Sequence, residues 1–368
     1  MLKNIIFIAL LISVISCKNG NEKKVDLGEK INNKYSQGFE ILKTNEGYLL
    51  KVKNRFDKNY FQTYSLAYDS KNKTEKHIKI PVKNIICLST TYCAFISELQ
   101  EIESISGISG TNFIYNRAIK EKIAKKEIID VGYERQIKYE QIISLKPDVV
   151  FAYIVDNKSI SVYQKLIDIG IPVVYVGDFL ENNPLGRSEW LKFFACFFNK
   201  LEPAIKYFDS LELKYNHLLD EIKNKNDIKP NVLVGLPYNG NWWVPGGNSF
   251  FANFISHAGG NYIYNNNNSS ESIPHSIEYI FKTALNVDIW LHPNEYNKKE
   301  DITKIDKRLK NFNPFISAKI YNNNKRINKH GGNDFWESGV THPDIILNDL
   351  YKIFYNKDAS DLFYYKKL

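Results

Sequence analysis

Several kinds of chemistry lack their parts in this sequence. Cysteine occurs four times in 368 residues, with no Cys-x-x-Cys pair and no Cys/His pattern of zinc-ligand spacing. Setting Cys17 aside with the leader leaves Cys87, Cys93 and Cys196, an odd number that cannot form a disulfide framework. Cys87 lies in an apolar strand pattern and Cys196 in an apolar helical one, so both read as core residues. The seven histidines include no His-x-x-x-His pair, and the spacing of His257, His292 and His342 assembles no metal cluster. Gly107-Ile108-Ser109-Gly110 lacks the Gly-x-Ser-x-Gly spacing of a nucleophile elbow and follows no strong apolar strand. "PGGNS" at 245–249 has no Lys-Ser/Thr continuation to cradle a phosphate. The formal net charge of +8 is spread over scattered lysines, with no basic helix for nucleic acid. These absences argue against an enzyme.

The amino terminus is more informative. "MLKNIIFIALLISVISC" has a positive start at Lys3, an apolar run from Ile5 to Ile12, and a cysteine in place of an Ala-x-Ala type site. That run is too short to cross a bilayer comfortably as a mature helix, so residues 1–16 read as an export signal. Val14-Ile15-Ser16-Cys17 resembles a bacterial lipobox, which puts a lipid on Cys17 and anchors the mature protein to a membrane without embedding it. Residues 17–35, after the lipidated cysteine, are polar and charged and read as a flexible tether.

Removing the signal leaves about 350 residues, enough for two cores or one large domain. Residues 36–82 carry three alternating runs, "FEILK", "YLLKVKN" and "FQTYSLAYD", which read as a β-hairpin extension ahead of the main fold. From residue 83 a strand-to-helix order occurs twice. "NIICLST" feeds a helix near Tyr92, and a helix around Glu140, the strand "DVVFAY", a helix near 160–169 and the strand "IPVVYV" follow. "NVLVGLP" feeds "SFFANFISHAG", and a helix around Glu278, the strand "DIWLH", a charged helical stretch and the strand "AKIYN" follow. First and last strands lie about 88 positions apart in both halves, which predicts two similar α/β lobes over 83–180 and 229–368. Between them, 181–228 keeps a helical period through Phe194, Phe197, Leu201, Phe208, Leu211, Tyr215 and Ile222, and Pro203 starts or kinks a helix there. From Pro203 to Lys225 such a helix is roughly 35 Å long, enough to bridge the lobes as a stiff pair.

Aromatic residues make up 14% of the chain, which favours a stacking surface. In "YNGNWWVPGGNSFF" the residues Asn239, Gly240 and Asn241 read as a turn, which leaves at least one of Trp242 and Trp243 near solvent at the end of a strand.

The lipobox, the duplicated lobes, the bridging helix, "DVGYERQIKYEQIISLKPDVVFAY", "GIPVVYVGD" and the tail "GGNDFWESGVTHPDIILNDL" together resemble the helical-hinge substrate-binding proteins of ABC importers, which capture ferric siderophores, haem or cobalamin. The resemblance runs from about residue 83 onward. It implies two Rossmann-like α/β lobes joined by a single long bridging helix, and it gives the hairpins before residue 80 no role. It implies that Glu140 in "KYEQII" and Glu278 in "SIEYIF", one on each lobe, dock with arginines of the permease. It points to a cleft lined by Thr90, Thr91, Tyr92, Tyr133 and Tyr153 from the first lobe, and by Tyr238, Trp242, Trp243, Asn324, Arg326, Phe335 and Trp336 from the second. Arg326, or Arg187 in "PLGRSEW", would meet a carboxylate or an anionic iron chelate. The implied protein is a monomer of the cell envelope that faces the periplasm, has no resident cofactor or metal ion, and serves a permease and its ATPase. The cargo is an iron complex such as a ferric siderophore, with cobalamin and then haem as alternatives. A scaffold or adhesive lipoprotein is the competing reading from another class. A zinc- or manganese-type binder would need a His and carboxylate cluster in the cleft.

Overall fold

The computed structural model describes residues 28–54, 56, 61–68, 77–133, 136–225, 227–355 and 361–368. The expected signal peptide, Cys17 and the tether as far as residue 27 lie outside the described residues. Among the described residues no helix is long and apolar enough to cross a membrane.

The chain enters through a five-stranded sheet in the order β1-β2-β3-β4-β5. Its strands are β1 (Glu29–Ile31), β2 (Phe39–Lys43), β3 (Gly47–Lys53), β4 (Phe61–Ala67) and β5 (Ile78–Lys79). Alternation in "FEILK" and "GYLLKVK" turns Phe39, Ile41, Tyr48, Leu50 and Val52 inward. That face does not form a separate core, because it packs with the first lobe and with Trp190 and Phe193, whose rings lie 4.7 and 5.6 Å from Phe39. Residues 28–35, expected as tether, are part of this structure. β1 pairs with β2, and the amides of Lys34 and Tyr35 donate to the Glu189 carboxylate at 2.9 Å each.

The first lobe holds a parallel sheet in the order β10-β9-β6-β7-β8. It comprises β6 (Ile85–Cys87), β7 (Ile105–Ile108), β8 (Ile129–Asp130), β9 (Val149–Ala152) and β10 (Val173–Tyr175), with helices α1 (Thr90–Glu98), α2 (Arg117–Ala124), α3 (Tyr139–Leu145) and α4 (Asn157–Asp168) between them. Ser109 therefore does follow a strand, a short one weakened in the sequence by Ser106 and Gly107. α5 (Pro184–Phe197) and α6 (Leu201–Lys223) then lead into the second lobe. Its main sheet runs β14-β11-β16-β17-β18 and a small one β12-β13-β15. The strands are β11 (Asn231–Val234), β12 (Pro237–Tyr238), β13 (Asn241–Val244), β14 (Asn261–Tyr262), β15 (Ile273–Ser276), β16 (Ile289–Leu291), β17 (Ile320–Asn322) and β18 (Lys366–Lys367). The helices are α7 (Phe250–His257), α8 (Ile277–Ala284), the short α9 (Lys299–Ile302) and α10 (Asn313–Ile316), and α11 (Pro343–Phe354).

Strand order carries the duplication. In both lobes the first strand sits between the second and the one that follows the glutamate-bearing helix: β7-β6-β9-β10 in one, β14-β11-β16-β17 in the other. The lobes differ at their margins, where β8 extends the first and the antiparallel β18 covers the edge of the second.

The bridging segment holds two helices, and the longer, α6, spans the lobes as expected. Asn183 caps α5 by accepting from the amides of Leu185 and Gly186, and Pro184 supplies a preset φ at its first turn. α5 is buried on nearly every face, and each of Trp190, Phe193, Phe194 and Phe197 withdraws an aromatic ring from water, worth on the order of 2 kcal/mol apiece. α6 begins in the core of the first lobe with Leu201 and Ala204 and ends in that of the second with Phe208, Leu211, Tyr215 and Ile222. Pro203 stands in its first turn, where the missing amide costs nothing. Its 23 residues span roughly 35 Å.

Candidate functional site

Because the central strands of each lobe run parallel, their carboxyl ends form one edge, where open α/β sheets place ligands. In the first lobe that edge carries Thr90, the half-buried first residue of α1, whose cap Ser89 accepts from the Thr91 amide. Beyond β8 stands Tyr133, exposed and leaning on Phe113 at 5.6 Å, and beyond β9 the half-buried Tyr153, edge-on to Phe179. After β10 comes Asp178, almost fully buried, whose carboxylate accepts from Arg187 Nε at 3.2 Å. Burial pushes the Asp178 carboxyl above its usual range against the pull of Arg187.

Arg187 projects from the first turn of α5 and lies 5.1 Å above the Phe250 ring. Around it the second lobe presents Phe250 and Phe251 from the first turn of α7, with Trp336 and Phe335 from the loop before α11. Phe251 lies 5.6 Å from Trp336 and 6.1 Å from Phe335. His292, at the end of β16, sits edge-on to Phe251 at 4.5 Å and shares a 2.6 Å hydrogen bond with Tyr365 Oη. Burial alone lowers its pKa to about 3, so the imidazole is neutral. Its φ of 54° puts a non-glycine residue in the left-handed region at this strand end. Arg187, Phe250, Phe335 and Trp336 enclose only about 10 Å³, so a ligand enters here only if these groups part.

The expected site residues thus divide. Arg187 and Trp336 come together, with Trp336 42% exposed. Thr90, Tyr133 and Tyr153 stand on the facing edge. Tyr92 does not; its ring is in the core against Phe194 at 5.6 Å, because it falls on the inner face of α1. Thr91 is buried too and donates its hydroxyl to the Trp336 carbonyl across the lobes at 3.2 Å. Phe335 is buried beneath Trp336 between Phe251 and the Tyr364 and Tyr365 rings. Asn324 is buried and ties down the 295–297 loop through Asn297 at 3.2 Å.

The tryptophan pair is split by strand alternation. The turn at Asn239–Gly240 returns the chain as β13, which continues the ladder against β12 and β15. Trp242 is fully buried, with Nε1 donating to the Val234 carbonyl and its ring 5.6 Å from Trp290. Trp243 is 46% exposed and shares the outer face of the small sheet with Tyr238, Asn241 and Pro274. The rings beside Arg187 and Trp336 are those of Phe250 and Phe251, two aromatics directly behind the Ser249 cap.

Arg326 belongs elsewhere. It pairs with Asp334 at 2.6 Å between the rings of Tyr115 and Phe363, at the joint where the loop before α11 meets the first lobe. There Glu337 accepts the amides of Tyr115 and Asn116 at 2.7 Å each, and Asn328 Nδ2 donates to the carbonyls of Asn112 and Ile114 at 2.9 Å. His342 Nε2 meets Glu98 at 3.0 Å. Gly332 passes so close that a Cβ there would stand 2.0 Å from the Phe113 carbonyl oxygen.

Glu140 and Glu278 occupy equivalent places as the second residues of α3 and α8, each before the strand next to its lobe's first strand. Both are exposed, and Glu278 meets Arg308 at 3.6 Å with its side chain 73% exposed. Among the described residues no group of three or more His, Cys, Asp or Glu could hold a metal ion.

The profile described as periplasmic binding protein matches residues 85–315. Among curated relatives, the uncharacterized lipoprotein MJ0878 of Methanocaldococcus jannaschii is 28% identical over 284 residues, which cover 75% of this chain and 66% of that protein. The chain thus spans just under two thirds of that relative's length. Among solved structures, a possible iron-binding (periplasmic solute-binding) protein from Staphylococcus epidermidis aligns with a TM-score of 0.58 at 19% identity, covering 75% of this chain and 99% of that one. A periplasmic heme binding protein from Pseudomonas aeruginosa aligns with a TM-score of 0.57 at 15% identity, covering 75% and 93%. Both likenesses show a shared fold.

Proposed function

This chain belongs to the periplasmic binding protein family, and from that premise we propose that it is a lipid-anchored capture protein that delivers an iron complex to an ABC permease. The observation that carries the reading is the wall of Phe250, Phe251 and Trp336 around Arg187, facing Thr90, Tyr133 and Tyr153 at the carboxyl ends of the strands. Flat aromatic faces bury the apolar body of a chelate, and a guanidinium already oriented by Asp178 keeps its remaining N–H groups for an anionic oxygen. The names of the Staphylococcus and Pseudomonas proteins support iron and heme as cargo chemistry for this fold. Cobalamin is distinguished from these by experiment.

Tryptophan fluorescence of the chain starting after Cys17, titrated with ferric hydroxamates and catecholates, haem and cobalamin, tests the reading. One iron complex should quench saturably at sub-micromolar concentration, and Trp336→Ala should weaken it by about 1 kcal/mol or more. Saturation by cobalamin alone would replace the cargo, and an unchanged affinity in the variant would remove Trp336 from the wall.

Delivery rests on Glu140 and Glu278, whose matched positions let a permease read both lobes at once. Replacing both with alanine should leave ligand affinity intact and abolish uptake in cells. Normal uptake by the double variant would end the docking assignment.

A further inference from the structure

The N-terminal sheet is fastened to the first lobe. Phe39, Ile41, Leu50 and Val52 belong to that lobe's core. Tyr64 Oη accepts the Tyr175 amide of β10 at 2.8 Å, and the hydroxyls of Tyr48 and Tyr68 donate to Asn199 Oδ1, just after α5, at 3.3 and 3.1 Å. Ahead of the sheet, however, Tyr35 packs against the core of the second lobe. Between Tyr35 and Phe39 the chain therefore passes from one core to the other. α5 makes the same passage between Leu185 and Trp190, and α6 between Ala204 and Phe208. A change of angle between two close-packed cores has to be taken up where these segments cross.

The N-terminal crossing grips α6 just past its own changeover. Phe208, Glu212 and Asn216 recur at i, i+4 and i+8, which puts them in one stripe along the helix. Tyr35 matches that stripe along its length. Its ring stands edge-on to Phe208 at 6.2 Å, and its hydroxyl donates to Glu212 Oε1 at 2.8 Å and accepts from Asn216 Nδ2 at 3.3 Å. Lys34 Nζ reaches the other Glu212 oxygen at 2.5 Å and Asp209 at 3.1 Å. The Asp209 pair is exposed on both sides and contributes little, so the grip rests on Tyr35 and Glu212. Meanwhile the backbone amides of Lys34, Tyr35 and Ser36 donate to Glu189 of α5. Side chains of this short segment thus hold α6 while its backbone holds α5.

We infer that residues 34–39 are a strap across the bridging helices that fixes the angle between the lobes, so that the cleft meets its cargo at one opening. A preset opening removes the loss of affinity that comes with a sparsely populated binding-competent state. The strap does not depend on which cargo is bound. Its test is the distance between spin labels at Lys165→Cys on α4 and Lys282→Cys on α8, exposed positions on opposite lobes, in the chain starting after Cys17. Cys87, Cys93 and Cys196 are buried and resist labelling. Double electron–electron resonance should give one narrow distribution for the parent. Lys34→Ala with Tyr35→Ala removes the grip but keeps the amides that Glu189 accepts, and should widen the distribution about twofold or more. Glu212→Ala releases the same grip from α6 and should act alike, whereas Tyr35→Phe keeps the ring and should widen it less. Because the first two variants act from opposite sides, misfolding of one leaves the other to decide. A broad distribution in the parent, or an unchanged width in either of those variants, overturns the strap, whatever the outcome with iron complexes.

Discussion

The molecule has two joints, and both rest on buried carboxylates that accept backbone amides across a boundary. At the joint between the N-terminal sheet and α5, Glu189 takes three successive amides and also the Lys192 ammonium at 2.7 Å, with both side chains almost fully buried. At the joint between the lobes, Glu337 takes two amides and has no ion-pair partner among the described residues. Burial pushes the Glu337 carboxyl up to about 7, with Asp334 adding to the rise and the two amides opposing it. The difference is a counter-ion and one amide. It makes the first joint a fixed seam and leaves the second one sensitive to protonation near neutral pH.

The largest effect should come from breaking the fixed seam. Glu189→Ala strands three amides and leaves Lys192 buried without its partner, which should cost about 3–5 kcal/mol, read as a lowered midpoint in denaturant. A loss under about 1 kcal/mol would mean that the sheet is held by its apolar face instead.

The second joint should respond to pH. Because the folded carboxyl titrates near 7 and an ordinary one near 4.5, the folded state binds more protons between those values, and stability falls as pH rises. The contribution of Glu337 should fade by roughly 3 kcal/mol across that window. Glu337→Gln should flatten its part of the slope, although a single amide oxygen serves only one of the two donors well. Melting temperatures of both proteins from pH 5 to 8 would decide it, and parallel curves would clear Glu337 of the role.

Neither joint was legible in the sequence, and the reason is distance along the chain. Glu189 meets amides more than 150 residues earlier, and Glu337 meets amides more than 200 residues earlier. What could be read was what repeats locally: the alternation of β2 and β3, the strand-helix order of both lobes, and the matched positions of α3 and α8. β7 escaped because Ser106 and Gly107 interrupt its apolar run, and β8 because it is two residues long. At the candidate site the aromatic content was visible but the facing was not. One indole of the Trp242–Trp243 pair is exposed as the turn implies, but the sequence does not show that β13 begins at Asn241 and runs through both, nor that Phe250 and Phe251, at the start of α7, lie beside Arg187. A one-residue difference in alternation decides which ring enters the core, and composition does not specify that phase.

The smallest change separates stability from access. Asn328 clamps the same lobe joint through two carbonyls but carries no titratable group, so Asn328→Ala should cost only about 1 kcal/mol and leave the pH slope intact. Its effect on binding should be of another kind. The gap among Arg187, Phe250, Phe335 and Trp336 is too small for a ligand, so entry requires the second lobe's rings to move away from the first, and Asn328 resists that movement. Stopped-flow association with the complex found by titration should be faster in the variant, with equilibrium affinity changed by less than the rate. An unchanged association rate would show that the lobes do not part at this joint.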